Sequence, residues 1–523
     1  MTELTISARP AAEAKSDALI LAVVATDDTG KDAGKEAGRD GRPDGAALAP
    51  GHGLPRKTAR HLEEVVADLG LTGKAGEVTT VAAVPGVAAK VVVLAGIGEL
   101  GSATRSLEDV RRGFGAAARG LAKKRSAVAV VPGTTTELVA AVAEGLALGA
   151  YAPAKVTSAP GGASVARRTD GGDALASVHL VAPADRAARD AVERAATLGG
   201  AVAYARDLVN LPPNLLYPAS FVDSVGAAVT DLRRGRGGGT VSLETLDLGQ
   251  LREGGFGGIV GVGQGSVNEP RLAVLSYAPS RPKATLAFVG KGITFDSGGL
   301  NLKPAASMGT MKSDMAGAAA VAAAVLAVAE LGLPVAVTGY LGLAENLPSG
   351  SAQRPSDVVT MRGGKTVEIL DTDAEGRMVL ADCIALASES RPDAIVDVAT
   401  LTGAQVVALA DTAAVMGNDD AFRGRVVATA DAVGEAMWPM PLPRELRPVL
   451  DSPSADLAHK GGREGGMLTA GIFLGEFVGD GIPWSHIDIA GPSFNGSGPS
   501  GYQPKGGTGF GVRTLVALAE SYA

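Results

Sequence analysis

Residues 285–314 read TLAFVGKGITFDSGGLNLKPAASMGTMKSD, and they decide how the rest of the chain is read. The opening run 285–289 is apolar enough for a strand buried on both faces. The uncharged, alanine-rich run 315–329 that follows is short of the ~20 residues a bilayer requires. It therefore predicts a buried helix over 314–331. Between the two stand Lys291, Asp296, Lys303 and Asp314, set among glycines and apolar residues. A charge entering such surroundings costs several kcal/mol unless it is paired or coordinated.

Working outward, the same alternation continues on both sides. A second strand is expected at 394–398 and a helix at 376–390, the latter preceded by Asp371-Thr-Asp-Ala-Glu-Gly-Arg377. Toward the start, runs 18–25, 91–95 and 127–131 read as strands with a helix at 107–123, again the α/β pattern. A long helical stretch at 184–210, stopped by Pro212-Pro213, reads as a connector. The expected layout is an N-terminal α/β domain over 1–183, the connector over 184–210 and a second α/β domain over 211–523. The Gly-rich, densely charged segment 29–53 is expected to be a mobile surface loop, and 161–173 is a second candidate.

Composition bounds the function. The 523 residues carry 48 basic and 56 acidic side chains, a formal charge of −8, so nucleic acid and anionic membrane are disfavoured as partners. Residues 1–10 include Glu3 and no apolar core, unlike a secretory signal. The single cysteine, Cys383, allows no intrachain disulfide, which suits a reducing, cytoplasmic setting. It lies within an apolar helical run without a nearby histidine and reads as core filler. The five histidines, His52, His61, His179, His459 and His486, show no paired metal spacing. Gly96-Ile-Gly-Glu-Leu-Gly101 is a GxGxxG between a strand and a helix, the context of a dinucleotide site. The next strand ends in Pro132-Gly133 rather than in the acid that would hold a ribose. A tight turn is the better reading, with nucleotide binding as the rival.

Two explanations fit the ionisable cluster. Lys291, Lys303 and Arg377 can form ordinary ion pairs with the acids. Alternatively, Asp296, Asp314, Asp373 and Glu375 supply four negative charges that two divalent cations would neutralise, and hard oxygen donors without Cys or His pairs favour Mn²⁺, Mg²⁺ or Zn²⁺. If 373–375 is extended, Asp373 and Glu375 face one side.

Five motifs in order name a family. ARDLVNLPPN at 205–214, VGKGITFDSGGLNLKP at 289–304, KSDMAGAAAV at 312–321, DTDAEGR at 371–377 and VDVATLTGA at 396–404 together resemble the leucyl aminopeptidases, also called cytosol aminopeptidases. The resemblance is strong over about 205–523. It implies a macro-like N-terminal domain and a larger zinc-peptidase-like catalytic domain with a central mixed sheet. The implied activity is removal of an N-terminal residue, preferably Leu or another apolar one, from peptides by a water activated between two metal ions. Two divalent ions, Mn²⁺ or Zn²⁺, would be held by Lys291, Asp296, Asp314, Asp373 and Glu375, with Asp296 and Glu375 bridging. Lys291 would ligate as a neutral amine, so a lowered pKa is expected for it. Lys303 would stay protonated and stabilise the oxyanion, and Arg377 would hold a bicarbonate that shuttles the proton. Met311, Thr400, Leu401 and Gly403 would contact substrate, and the assembly would be a homohexamer. The chain departs from the family's NTDAEGRL at two places, with Asp371 for Asn and Met378 for Leu. Asp371 adds a negative charge beside the site.

Overall fold

The computed structural model describes residues 2–26, 45–100, 104–159, 162–166, 175–232 and 238–523. The chain divides into two compact units: Met1–Ala203 with Ser497–Lys505, and Tyr204–Gly496 with Gly506–Ala523. The division falls inside one 25-residue helix, Arg186–Asn210. It also assigns nine late residues to the first unit, a detail the two-domain layout drawn from sequence does not contain. Tyr502 of that segment gives its hydroxyl hydrogen to Glu108 Oε1 at 2.8 Å, and Arg119 Nε donates to the Gly501 carbonyl.

Among the described residues, the first unit is built on a seven-stranded sheet. Its path runs Glu3–Ser7, Ser177–Val181, Ser126–Val130, Ala18–Thr26, Val91–Gly96 and Val78–Ala82, with Gly45–Leu48 paired antiparallel to the middle strand. The helix predicted at 107–123 spans Thr104–Gly120. Most of the proposed loop 29–53 lies outside the described residues. Its part Gly45–Leu48 is a strand rather than a loop, because Leu48 is buried against the sheet. Likewise Gly162–Ala166 pairs with Lys155–Ala159, whereas 161 and 167–173 lie outside the described residues. Gly96 packs against the backbone of the turn at Gly73 and Lys74: a Cβ there would meet the Lys74 carbonyl at 2.3 Å. Close backbone approach explains this glycine without a ligand, and Gly101 falls outside the described residues.

The second unit is built on an eight-stranded mixed sheet, in the order Thr240–Leu246, Arg271–Ala278, Ala336–Asn346, Thr285–Asp296, Ala394–Ala399, Trp484–Asp488, Ala413–Gly417 and Met437–Pro439. The four central strands are mutually parallel. Alternate residues of Thr285–Asp296 serve opposite layers. Gly290 and Gly292 approach the helix Ala316–Leu331, while Ala287 and Val289 join a core with Val379, Cys383 and Ile384 of the helix Gly376–Glu389. Ala316–Leu331 is buried through Ala329, so the alanine-rich run is the crossover helix of a βαβ unit, small enough in side chain to sit tight on glycine-bearing strands.

Candidate metal and active site

The site forms where the four parallel strands end, which is where open α/β sheets place ligands. Asp296 and Asn346 are the last residues of their strands, Thr400 directly follows Ala399, and Asp488 closes Trp484–Asp488. Asp314 follows a single 3₁₀ turn, Met311–Ser313, that leads into the buried helix. Glu375 caps the N-terminus of Gly376–Glu389. Asp296, Asp314 and Glu375, all buried, bring ligand oxygens within 4.8 Å of one another. Lys291 Nζ lies 2.9 Å from both Asp314 Oδ2 and Glu375 Oε1 and donates to the Thr400 carbonyl at 2.8 Å. Lys303 Nζ spans Asp296 at 2.8 Å and Asp373 at 2.5 Å. Asp373, whose side chain is about one-third exposed, stands at the rim.

Asp373 and Glu375 do not lie on an extended segment. Asp371 turns the chain, its carbonyl accepting from Ala374 N–H and its Oδ1 from Asp373 N–H, and Glu375 is already in the helical region with φ −70°. The turn, not strand alternation, carries both carboxylates inward. The helix start also explains Gly376: a Cβ on it would sit 2.6 Å from Lys291 Nζ. Only glycine lets the amine reach Glu375.

The electrostatics mark a pocket with surplus negative charge, four carboxylates against two ammonium groups. Burial and the Glu375 charge push Asp296 up to about 6. Burial raises Asp314 well above the carboxylate range, against the pull of Lys291. Asp373 is raised by burial as well. For Glu375 burial works upward, but Lys291 and Lys303 outweigh it and hold it low. The expected lowering of Lys291 is not found in this arrangement: burial does act to lower it, but Asp314, Glu375 and Asp296 hold its proton and the net direction is up. Lys303 is likewise held protonated, burial being overcome by Asp296 and Glu375. A carboxylate cluster that takes up protons and clamps ammonium groups is one that divalent cations relieve, so the donor set fits such ions.

Of the remaining expected residues, Arg377 is buried, with its pKa lowered by burial to about 10. Its Nη1 donates to the His459 carbonyl at 3.0 Å, and among the described residues its Nε has no hydrogen-bond partner. Thr400 gives its hydroxyl hydrogen to Asp314 Oδ1 at 2.7 Å, and Leu401 N–H is taken by Asp488 at 3.0 Å. Gly403 starts the helix Gly403–Leu409 with open space at its Cα. Met311 is half-buried, three residues before Asp314. The extra charge of Asp371 is balanced by an ion pair with Lys460, which, against the effect of burial, holds that carboxylate below its ordinary range.

Sequence reading missed the residues that orient this set. Asn346 Nδ2 donates to Asp296 Oδ1 at 2.8 Å and to the Thr372 carbonyl at 2.9 Å. Its only signal is strand register, which sets Asn346 beside Asp296. His459, treated as an isolated histidine, accepts Leu370 N–H at Nδ1 (3.1 Å) and pairs Nε2 with the Asp371 carbonyl (2.8 Å). These contacts, with one from Nδ1 to the Glu368 carbonyl at 3.2 Å, lock it to the turn that bears Asp373, Glu375 and Arg377.

The family model described as the cytosol aminopeptidase family, catalytic domain, matches residues 203–516, and the one for its N-terminal domain matches 41–159. A probable cytosol aminopeptidase of Streptomyces griseus is 50% identical over 100% of this chain and 99% of its own length. One from Streptomyces coelicolor is 49% identical over 99% and 98%. Among solved structures, the bottromycin maturation enzyme BotP in complex with Mn is 35% identical with a TM-score of 0.79, covering 97% of this chain and 99% of its own. A mutant of tomato leucine aminopeptidase is 27% identical with a TM-score of 0.80, covering 99% and 96%.

Proposed function

The chain belongs to the cytosol aminopeptidase family and is a metal-dependent aminopeptidase; from that premise we propose how its own residues run the reaction. Two divalent cations, Mn²⁺ or Zn²⁺, would be held by Lys291, Asp296, Asp314, Asp373 and Glu375. The observation that carries this reading is the convergence of three buried carboxylates within 4.8 Å, ringed by two lysines. Bound there, the cations supply Lewis acidity and a hydroxide nucleophile near neutral pH.

The protein's part is to bind, orient and hold protons. Asp314 and the 400–403 segment receive the free N-terminal residue, which restricts cleavage to the first peptide bond, and Met311, Leu401 and Gly403 line the space for an apolar side chain such as Leu. Lys291 would ligate only as the neutral amine, its proton passing to solvent as the cations bind. With Asp296 and Asp373 turned to cations, Lys303 would be freed from them; keeping its proton, it would offer its ammonium to the developing oxyanion, a role worth ~2.7–4 kcal/mol for one donor. The buried, unpartnered Nε of Arg377 supports an anion beside it, bicarbonate, that carries the proton to the leaving amine. The relatives' shared name supports a cytoplasmic setting, and family likeness supports a homohexamer.

Elemental analysis of the purified protein, together with hydrolysis of a leucine anilide, tests the reading. Two Mn²⁺ or Zn²⁺ per chain and activity abolished in Glu375→Ala with the fold retained are expected. Full turnover in a chelated, metal-free preparation would overturn it.

A further inference from the structure

Behind the ligand cluster lies a row of buried polar groups to which the reaction just described gives no task. The parallel register of Ala394–Ala399 and Trp484–Asp488 sets Asp397 beside His486 and Ala399 beside Asp488. Asp397, His486 and Asp488 have no exposed surface. Asp397 is satisfied within the sheet, by Trp484 Nε1 at 2.7 Å and His486 Nδ1 at 2.5 Å. Asp488 is different, because its bonds leave the sheet. Oδ1 accepts Leu401 N–H at 3.0 Å and Ala490 N–H at 3.2 Å, and Oδ2 accepts the Thr402 hydroxyl at 2.7 Å.

The segment Asp488 grips is held from the other side by the ligand cluster. The Thr400 carbonyl accepts Lys291 Nζ at 2.8 Å, and the Thr400 hydroxyl donates to Asp314 Oδ1 at 2.7 Å. Residues 400–402 are thus clamped between a buried carboxylate and two expected metal ligands. Thr402 passes the restraint onward, its Oγ1 accepting Gln405 N–H at 3.0 Å at the head of Gly403–Leu409. Burying a carboxylate is expensive, and here two of its three bonds go to Leu401 N–H and the Thr402 hydroxyl, in the segment proposed to receive substrate.

We propose that Asp488 is a positioning residue of the peptidase reaction: its carboxylate fixes the backbone of residues 400–402 and, through Thr400, the arrangement of Lys291 and Asp314. The inference rests on the reading of Lys291 and Asp314 as metal ligands. Residues that orient metal ligands typically change activity by about 10–100-fold when altered. Asp488→Asn keeps the shape and one acceptor oxygen but loses the charge and the acceptor for Thr402.

The test compares the full-length Mn²⁺-loaded enzyme with Asp488→Asn, Thr402→Val, Thr402→Ser and the double variant Asp488→Asn/Thr402→Val, assayed at saturating Mn²⁺. The single variants Asp488→Asn and Thr402→Val are expected to lose about 10–100-fold in kcat/KM, mostly in kcat, with bound Mn²⁺ and Tm close to wild type. Thr402→Ser, which keeps the hydroxyl, is expected to restore activity. The double variant is expected to lose no more than the worse single, since both cut the same link. Asp373→Ala is run alongside. If it is inactive while Asp488→Asn shows wild-type kcat and KM per Mn²⁺-loaded site, the inference is overturned alone, whatever happens to Tm. If Asp373→Ala keeps wild-type turnover, the ligand reading falls and the inference falls with it.

Discussion

Lys303 lies with its ammonium between Asp296 and Asp373, where it neutralises part of a crowded acid cluster; under the proposed mechanism it would become a free donor once cations took over those oxygens. Lys303→Ala is expected to lower kcat by about 10²–10³-fold while bound Mn²⁺ is retained. Loss of metal together with a fall in Tm would instead mark the lysine as a structural counter-ion. Gly376→Ala is the complementary case: the added methyl must displace the Lys291 amine from 2.6 Å, and overpacking of that kind costs about 1–3 kcal/mol. Its Tm and Mn²⁺ content should both fall. Lys303 was legible in the sequence because a charge in an apolar, glycine-rich run demands a reason. Asn346, His459 and Asp488 were not, since each stands in ordinary company and meets its partners 50, 88 and 87 positions away.

At the scale of elements, the turn at 371–375 depends on a neighbouring segment that is stitched to it at several points. His459 bonds Leu370 and Asp371, Lys460 pairs with Asp371, and Arg377 reaches the His459 carbonyl. Burial holds the His459 imidazole down to about 4, with the Arg377 charge acting the same way. Because the unfolded chain takes up this proton near pH 6.5 and the native one does not until about pH 4, the unfolded state binds more protons between the two. The stabilising contribution is complete above pH 6.5 and is lost as pH falls through that window, by roughly 3 kcal/mol. Because Asp296, Asp314 and Asp382, raised in the native state, act in the opposite direction in both proteins, the slope is read as a difference: urea unfolding midpoints of wild type and His459→Asn measured from pH 7 to pH 4.5 should diverge, the wild type losing more stability as pH falls. Parallel curves would show that His459 contributes no such slope. Strands and helices of this unit were visible as apolar runs punctuated by glycine and proline. The conformation of 373–375 was not legible, because two-residue spacing fits a strand and a turn equally well, and only the bonds to Asp371 decide between them.

For the whole molecule, the metal is expected to act as part of the fold. Cations that bind only the native acid cluster stabilise it by mass action, about 2.7 kcal/mol at a hundredfold excess over Kd. Calorimetry of chelator-treated protein should therefore give a lower Tm that climbs with added Mn²⁺. A Tm indifferent to Mn²⁺ would mean that the acids are satisfied without it. The two-unit plan was readable from the α/β alternation and the long helix before Pro212. The return of 497–505 to the first unit was not, because nine polar, glycine-rich residues give no periodicity to read.

The groups that meet at the ends of the four parallel strands are far apart along the chain: Lys291 reaches Thr400 across 109 positions, and Leu401 reaches Asp488 across 87. No local fragment contains a working set. A ribosome making this chain must therefore release nearly all of it before any peptide bond is at risk, so the nascent polypeptide, and the unfinished proteins around it, are spared the enzyme's own chemistry during its synthesis.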